Sequence, residues 1–177
     1  MTNYAIGELV GHVHALKKLE DFDWVGNDII KIVIDDLIKK DSWGTGLGLV
    51  GFVGVGKTHL LASLYKERMW RTINENGQLP IWLNFSDLYD LEHSELVEVI
   101  GRGNIIFIDD LFCMGYKEKE IDIVKEIVFR CYNSNKILCF SSNLFVENWD
   151  IDLRVRDRLK EMCRVFEIVG DSHRRQI

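Results

Sequence analysis

An α/β fold, with a five-stranded parallel sheet covered by helices on both faces, is predicted by two features of this sequence. Five short, continuous apolar runs recur along the chain with segments of helical length between them, and a glycine-rich turn joins the first run to the helix that follows. Sheets of this kind bind ligands at the carboxyl ends of their strands.

The first predicted element is a helix over Asp28 to Lys40. Ile29, Ile30, Val33, Ile34, Leu37 and Ile38 recur there at the spacing of one buried face, with lysines on the other. Asp41 to Gly46 is a weak joint. The strands are Leu47 to Val53, Ile81 to Phe85, Ile105 to Ile108, Ile137 to Phe140 and Val165 to Val169, apolar enough to be buried on both faces. Lys57 to Asn74, Asp87 to Ile100, Lys119 to Tyr132 and Asp150 to Glu161 are the helices between and after them. There is no repeat or low-complexity tract, and Pro80 is the only proline. The 177 residues therefore read as one domain, a lead-in and helix over 1–46 and a core over 47–177.

Composition narrows the functions. The chain is 47% hydrophobic with a formal net charge of -6 and a pI near 5.4, so any contact with a phosphate polymer has to be local. Cys113, Cys131, Cys139 and Cys163 are far apart with no CxxC pair, and all but Cys113 sit in apolar runs. That pattern suits core packing in a reducing compartment and excludes a thiolate metal site. Met1 to Ile6 does not open a basic-then-apolar leader, and no run approaches the length of a membrane span. A soluble, cytoplasmic protein is expected.

The strongest motif is Gly51-Phe52-Val53-Gly54-Val55-Gly56-Lys57-Thr58, which fits G-x-x-x-x-G-K-[ST] between a predicted strand and a predicted helix. Its glycines let the backbone wrap round phosphate oxygens and turn successive N–H groups inward. Lys57 brings a positive charge to the β- and γ-phosphates, and Thr58 sets a hydroxyl on magnesium at the positive end of the helix. The set read as binding ATP is Gly51, Gly54, Val55, Gly56, Lys57, Thr58 and His59.

A second signal is Ile105-Ile106-Phe107-Ile108-Asp109-Asp110, an apolar run ending in two carboxylates. In the Walker B reading Asp109 holds magnesium with Thr58, and Asp110, turned the other way by strand alternation, orients or deprotonates the attacking water. In the bland reading both acids end a strand and cap a helix. Ser141-Ser142-Asn143 ends another run, either as a polar tip reaching the γ-phosphate or as a turn and cap. Arg154, Arg156 and Arg158 form either a solvated face or the source of an arginine finger for a neighbouring subunit. Phe22 and Trp24 border an adenine or belong to the core. His12 and His14 have no partner at metal spacing and are expected on the surface.

In this order the motifs resemble the DnaC/IstB family of AAA+ ATPases, the helicase loaders and transposition helper proteins, over about Leu19 to Arg174. Leu19-Glu20-Asp21-Phe22-Asp23-Trp24 is similar to the family's lead-in, GVGKTHL over Gly54 to Leu60 to its extended P-loop, and IDDL over Ile108 to Leu111 to its Walker B segment. The resemblance makes Asn143 the sensor 1 residue. It makes Arg158 in Arg154-Val155-Arg156-Asp157-Arg158-Leu159 the first candidate for the finger, with Arg154 second. Gly170-Asp171-Ser172-His173-Arg174 resembles the family's close, with His173 in place of an aromatic residue.

The resemblance implies ATP with Mg2+, slow hydrolysis gated by homo-oligomer formation, a replicative helicase or a transposase as partner, and no separate helical lid domain. Two departures bear on partners. Fewer than about twenty residues precede the core, where family loaders carry a helicase-gripping domain. Ser86 to Asn104 is short and acidic, with Asp87, Asp90, Glu92, Glu95 and Glu98 against Arg102, so single-stranded DNA contact through it is not expected. Three alternatives to a helicase loader stand: a transposition helper, an ATP-switched binding module without useful turnover, and a metabolite kinase, for which no second basic lid follows the P-loop.

Overall fold

A computed structural model describes residues 11, 14, 16–40, 43–75, 77–113 and 117–171. Five strands, β1 (Gly46–Val50), β2 (Ile81–Asn84), β3 (Ile105–Leu111), β4 (Ile137–Ser142) and β5 (Cys163–Glu167), form one parallel sheet in the order β2-β3-β4-β1-β5. Helix α1 (Asp28–Lys40) precedes β1, and α2 (Lys57–Asn74) joins β1 to β2. Then α3 (Phe85–Leu88) and α4 (His93–Gly101) lead to β3, α5 (Glu118–Asn133) to β4, and α6 (Leu153–Met162) to β5. The α/β class and the parallel sheet are those expected from the sequence, and among the described residues no lid domain follows β5.

Strand alternation sorts the core into two layers. Leu47, Leu49, Ile105, Phe107 and Cys139 face α1 and α2, where they meet Ile30, Ile34, Leu37, Leu61, Leu64 and Met69. Val50, Ile106, Ile108, Leu138 and Phe140 face the other way, against Leu96 and Ile100 of α4, Val124 and Ile127 of α5, and Val155 and Leu159 of α6. Three cysteines are buried and reduced as expected, and Cys113 is exposed. Burial pushes the Cys131 and Cys139 thiols up to about 12, which leaves them inert core groups.

Several predicted boundaries move, each for a local reason. The first strand ends at Val50, because Gly51 at φ +145 already begins the turn. The single helix predicted over Asp87 to Ile100 is two, and the second restarts at Glu92, whose backbone N–H donates to Glu95 Oε2 at 2.9 Å. The last helix begins at Leu153 and not Asp150, capped by Asp152, whose carboxylate accepts from the Arg154 N–H at 2.8 Å. In α1 the buried stripe is Ile30, Ile34 and Leu37, while Ile29, assigned to that face from spacing, is 73% exposed. The joint at Asp41 and Asp41's neighbour Ser42, His12, the leader region Met1 to Ile6, and Ser172 to Arg175 lie outside the described residues.

The lead-in is fastened to the core at both ends. Asn27, 3% exposed, donates to the Val169 carbonyl at 2.7 Å and accepts from the Val169 N–H at 3.1 Å, tying the start of α1 to the chain just past β5. Upstream, Lys66 of α2 donates to the carbonyls of His14, at 2.9 Å, and Lys17. Among the described residues no helix is long and apolar enough to cross a membrane.

The two isoleucines of α1 make the burial assignment testable. Ile34→Ala, at a fully buried position, is expected to cost about 2 to 4 kcal/mol, and Ile29→Ser less than about 0.5 kcal/mol. Urea denaturation of both variants checks the difference, and equal losses would contradict the observed face.

Candidate functional site

At the carboxyl edge of the sheet the turn from β1 into α2 closes round an ammonium group. Lys57, 5% exposed, donates from Nζ to the carbonyls of Gly51 at 2.9 Å and Phe52 at 2.7 Å. Only glycine fits at two points of this turn. A Cβ on Gly51 would lie 2.5 Å from the Ile168 carbonyl oxygen, and one on Gly56, at φ +99, would lie 2.9 Å from the Phe22 ring. Val55 turns its side chain into the core, so at this position only the backbone is left to face a ligand.

The next residue joins two strands' ends. Thr58 Oγ1 donates to Asp109 Oδ1 at 3.1 Å, and the Ser141 hydroxyl donates to the same oxygen. Burial holds the Asp109 carboxyl above the ordinary carboxylate range, and the Asp110 charge adds to this, while the hydrogen bonds from Ser141 and Thr58 oppose it.

Strand alternation would turn Asp109 and Asp110 to opposite faces, but the strand is not regular at this pair. Ile108 pairs with Phe140 and Leu111 with Ser142, so two residues of β3 lie opposite the single residue Ser141 of β4. This is a β-bulge, with Asp110 in the left-handed region at φ +59. Asp109 is bonded to Thr58, which lines the cavity, while Asp110 itself joins the cavity wall.

That cavity, of about 460 Å3, is lined on one side by Gly54, Gly56, Lys57, Thr58 and His59, and on the other by Asp110 and Asn143. The lead-in closes it with His14, Lys17, Asp21, Phe22 and Asp23. His14 is thus a half-buried wall residue, against the expectation of a surface position. Phe22 is both core and wall, and Trp24 packs on it edge-on at 4.7 Å. His59 donates from Nε2 to the Lys18 carbonyl at 2.8 Å and lies edge-on to Phe22 at 5.7 Å, which makes it, with Lys66, a link between α2 and the lead-in.

The arginines lie elsewhere. Arg158 sets its guanidinium over the rings of Phe129 at 4.3 Å and Tyr132 at 4.9 Å, both on α5 of its own chain. Arg154 has an 80% exposed side chain paired with Asp152 at 3.0 Å, and Arg156 donates to the Trp149 carbonyl. Sequence reasoning placed Ser141 at a strand tip but not its bonds to Asp109 and Asp110, and it missed Lys66 and Asn27. Bulges leave no mark in composition, and a clamp between residues 142 positions apart has no local signature.

Comparison with known proteins agrees with this architecture. No family model matches the chain. The uncharacterized protein YqaM of Bacillus subtilis (strain 168) is 26% identical over 140 residues, 74% of this chain, and the chain spans less than half, 44%, of that relative's length. Among solved structures, a putative primosome component from Streptococcus pyogenes serotype M3 superposes with a TM-score of 0.72 at 19% identity, over 98% of this chain and all of that one. A DnaC helicase loader gives 0.61 at 17% identity, over 84% of this chain and 93% of that one. AMPPCP-bound DnaA from Aquifex aeolicus gives 0.66 at 20%, over 87% of this chain and 50% of that one. The chain shares its fold with these three structures.

The half-buried His59 gives a pH test of the lead-in. Burial, the largest cause, lowers its value below 6.5 despite the Lys18 carbonyl, so the unfolded chain takes up a proton at this residue before the folded one does. Stability then falls as the pH drops through 6.5 towards the lower folded value. His59→Gln is expected to show a smaller drop in melting temperature than wild type between roughly pH 7.5 and 5.5. Parallel melting curves would count against the buried link.

Proposed function

We propose that this protein binds ATP with magnesium in this cavity, hydrolyses it slowly, and serves as an AAA+ accessory of DNA replication of the helicase-loader kind. The observation that carries the reading is the 3.1 Å hydrogen bond between Thr58 and Asp109. It sets a hydroxyl and a carboxylate, the oxygen donors a small hard cation takes, beside the first turn of α2. The glycine turn and the positive end of α2 suit phosphates, and the similarity in fold to a DnaA structure holding AMPPCP supports a nucleotide there.

In this reading Lys57 exchanges the Gly51 and Phe52 carbonyls for β- and γ-phosphate oxygens, with N–H groups from Gly54, Val55 and Gly56 around them. Thr58 and Asp109 hold magnesium, which when bound neutralises charge on the phosphates. Asp110 orients the attacking water from the cavity wall, and Asn143 contacts the γ-phosphate or that water. His59 supports the lead-in wall of the site by holding Lys18 and Phe22 in place.

A neighbouring subunit completes the site with Arg158, or with Arg154 as second candidate. Arg154 already faces solvent, whereas Arg158 has to leave its rings on α5 as subunits meet. Similarity in fold to a DnaC helicase loader and a primosome component supports a replicative helicase as partner. The sequence resemblance to transposition helpers makes a transposase the alternative. The exposed carboxylates Asp87, Asp90, Glu92, Glu95 and Glu98 on and around α3 and α4 oppose single-stranded DNA on that side. One observation favours a second reading, a nucleotide-switched binding module: Asp110, the residue to which water activation is assigned, is a short acid on a left-handed backbone.

Lys57→Ala is expected to weaken ATP binding at least about tenfold by calorimetry, with the fold retained, because the ammonium faces phosphates. Unchanged affinity sinks the ATP reading. Turnover measured alone, with single-stranded DNA and with a replicative helicase then separates the loader from the switch.

Assembly is tested separately. Arg158→Ala should leave ATP binding by the isolated chain intact and abolish any rise of specific activity with protein concentration. Mixing with Lys57→Ala subunits should restore part of the activity, since a mixed interface pairs an intact P-loop with an intact finger. The same series on Arg154→Ala tells the two arginines apart. Activity independent of concentration, with both variants silent, removes the finger.

A further inference from the structure

The Ser141 hydroxyl is fully buried and occupied on both sides. It donates to Asp109 Oδ1 and accepts from the backbone N–H of Asp110 at 2.9 Å. These are the two residues of the β3 bulge, and Ser141 is the one residue of β4 opposite them. Its neighbour Ser142 closes the next step, donating to the Leu111 carbonyl at 2.9 Å and accepting from the Leu144 N–H at 3.1 Å. One strand tip therefore carries Asn143 into the cavity and fixes both acids of the strand beside it.

We propose that Ser141 is a positioning residue that sets Asp109 for magnesium and Asp110 for water through one hydroxyl, coupling both acids to the tip of β4. The proposal rests on the ATP and magnesium reading of the cavity. An alanine at 141 would leave the Asp110 N–H buried without its acceptor and Asp109 with one donor fewer, freeing the carboxylate to turn from Thr58. The hydrogen bonds of Ser141 go to Asp109 and Asp110 and not to the glycine turn, so phosphate binding itself is not expected to depend on it.

The test is the affinity for AMPPCP by calorimetry, with magnesium and with EDTA. Ser141→Ala is expected to keep wild-type affinity in EDTA, to lose about tenfold or more of the gain that magnesium brings, and to lower kcat more than it changes KM. Ser141→Thr, which keeps the hydroxyl, should recover the magnesium gain. Ser142→Ala, equally buried on the same strand but bonded to neither acid, should keep it, so general loosening of β4 is told apart from loss of the coupling.

If the alanine variant fails to fold, Ser141→Cys, close in size but a weak donor, makes the same comparison. A full magnesium gain in Ser141→Ala overturns the proposal. So does an equal loss of affinity in EDTA, which would make the hydroxyl a support of the phosphate cradle. If wild type itself binds no nucleotide, or Lys57→Ala binds it as well as wild type, the ATP reading falls and takes this one with it.

Discussion

A carboxylate buried at the end of a strand has to be given hydrogen-bond donors, and two side chains that donate to Asp109 determine what meets at the cavity. Asp109 is only 9% exposed, where an unpaired charge would cost several kcal/mol. One donor, Thr58, belongs to the first turn of α2, and the other, Ser141, to the tip of β4. Satisfying this single group therefore joins the ends of β1, β3 and β4, three strands that are adjacent in the sheet only as the order β3-β4-β1. The topology supplies the proximity, and the buried charge makes use of it.

The lead-in depends on a similar economy of polar groups. Its backbone carbonyls at His14, Lys17 and Lys18 accept from Lys66 and His59 of α2, and Asn27 ties its far end to Val169. A segment with little regular structure is thereby held across one side of the cavity, with Phe22 pressed against Gly56 too closely for any larger residue. The glycine at 56 thus answers two demands at once, a left-handed backbone at the start of α2 and room for an aromatic ring.

Most of the fold was legible in the sequence because apolar runs and helical spacing report burial directly. The glycine turn was legible because its glycines and Lys57 occur in one order between a strand and a helix. Ile29 shows where spacing fails, since a stripe one residue too wide reads the same from composition, and only the neighbours of α1 decide which edge of it is covered. The split of the predicted helix at Tyr89 to Glu92 shows a second failure. Its apolar positions continue on both sides of the break, and the local capping by Glu95 outweighs them. Asp110 shows a third, because alternation is a rule for regular strands, and a bulge is a property of a pair of strands that neither carries alone.

The bulge also accounts for the choice of acid at position 110. Two consecutive residues of a regular strand point to opposite faces, and here one of them leaves the extended conformation, with φ +59. Among non-glycine residues Asp and Asn tolerate this region best, because their short polar side chains can bond locally, whereas a longer glutamate gains nothing from it. A second acid placed on a regular strand would need the longer reach of glutamate to act on the same side as its neighbour. With the backbone itself turned, the shorter aspartate already stands in the wall beside Thr58 and Asn143. Side-chain length and backbone conformation are therefore two answers to one geometric requirement, and the hydroxyl of Ser141, bonded to both members of the Asp-Asp pair, holds the second of them in place.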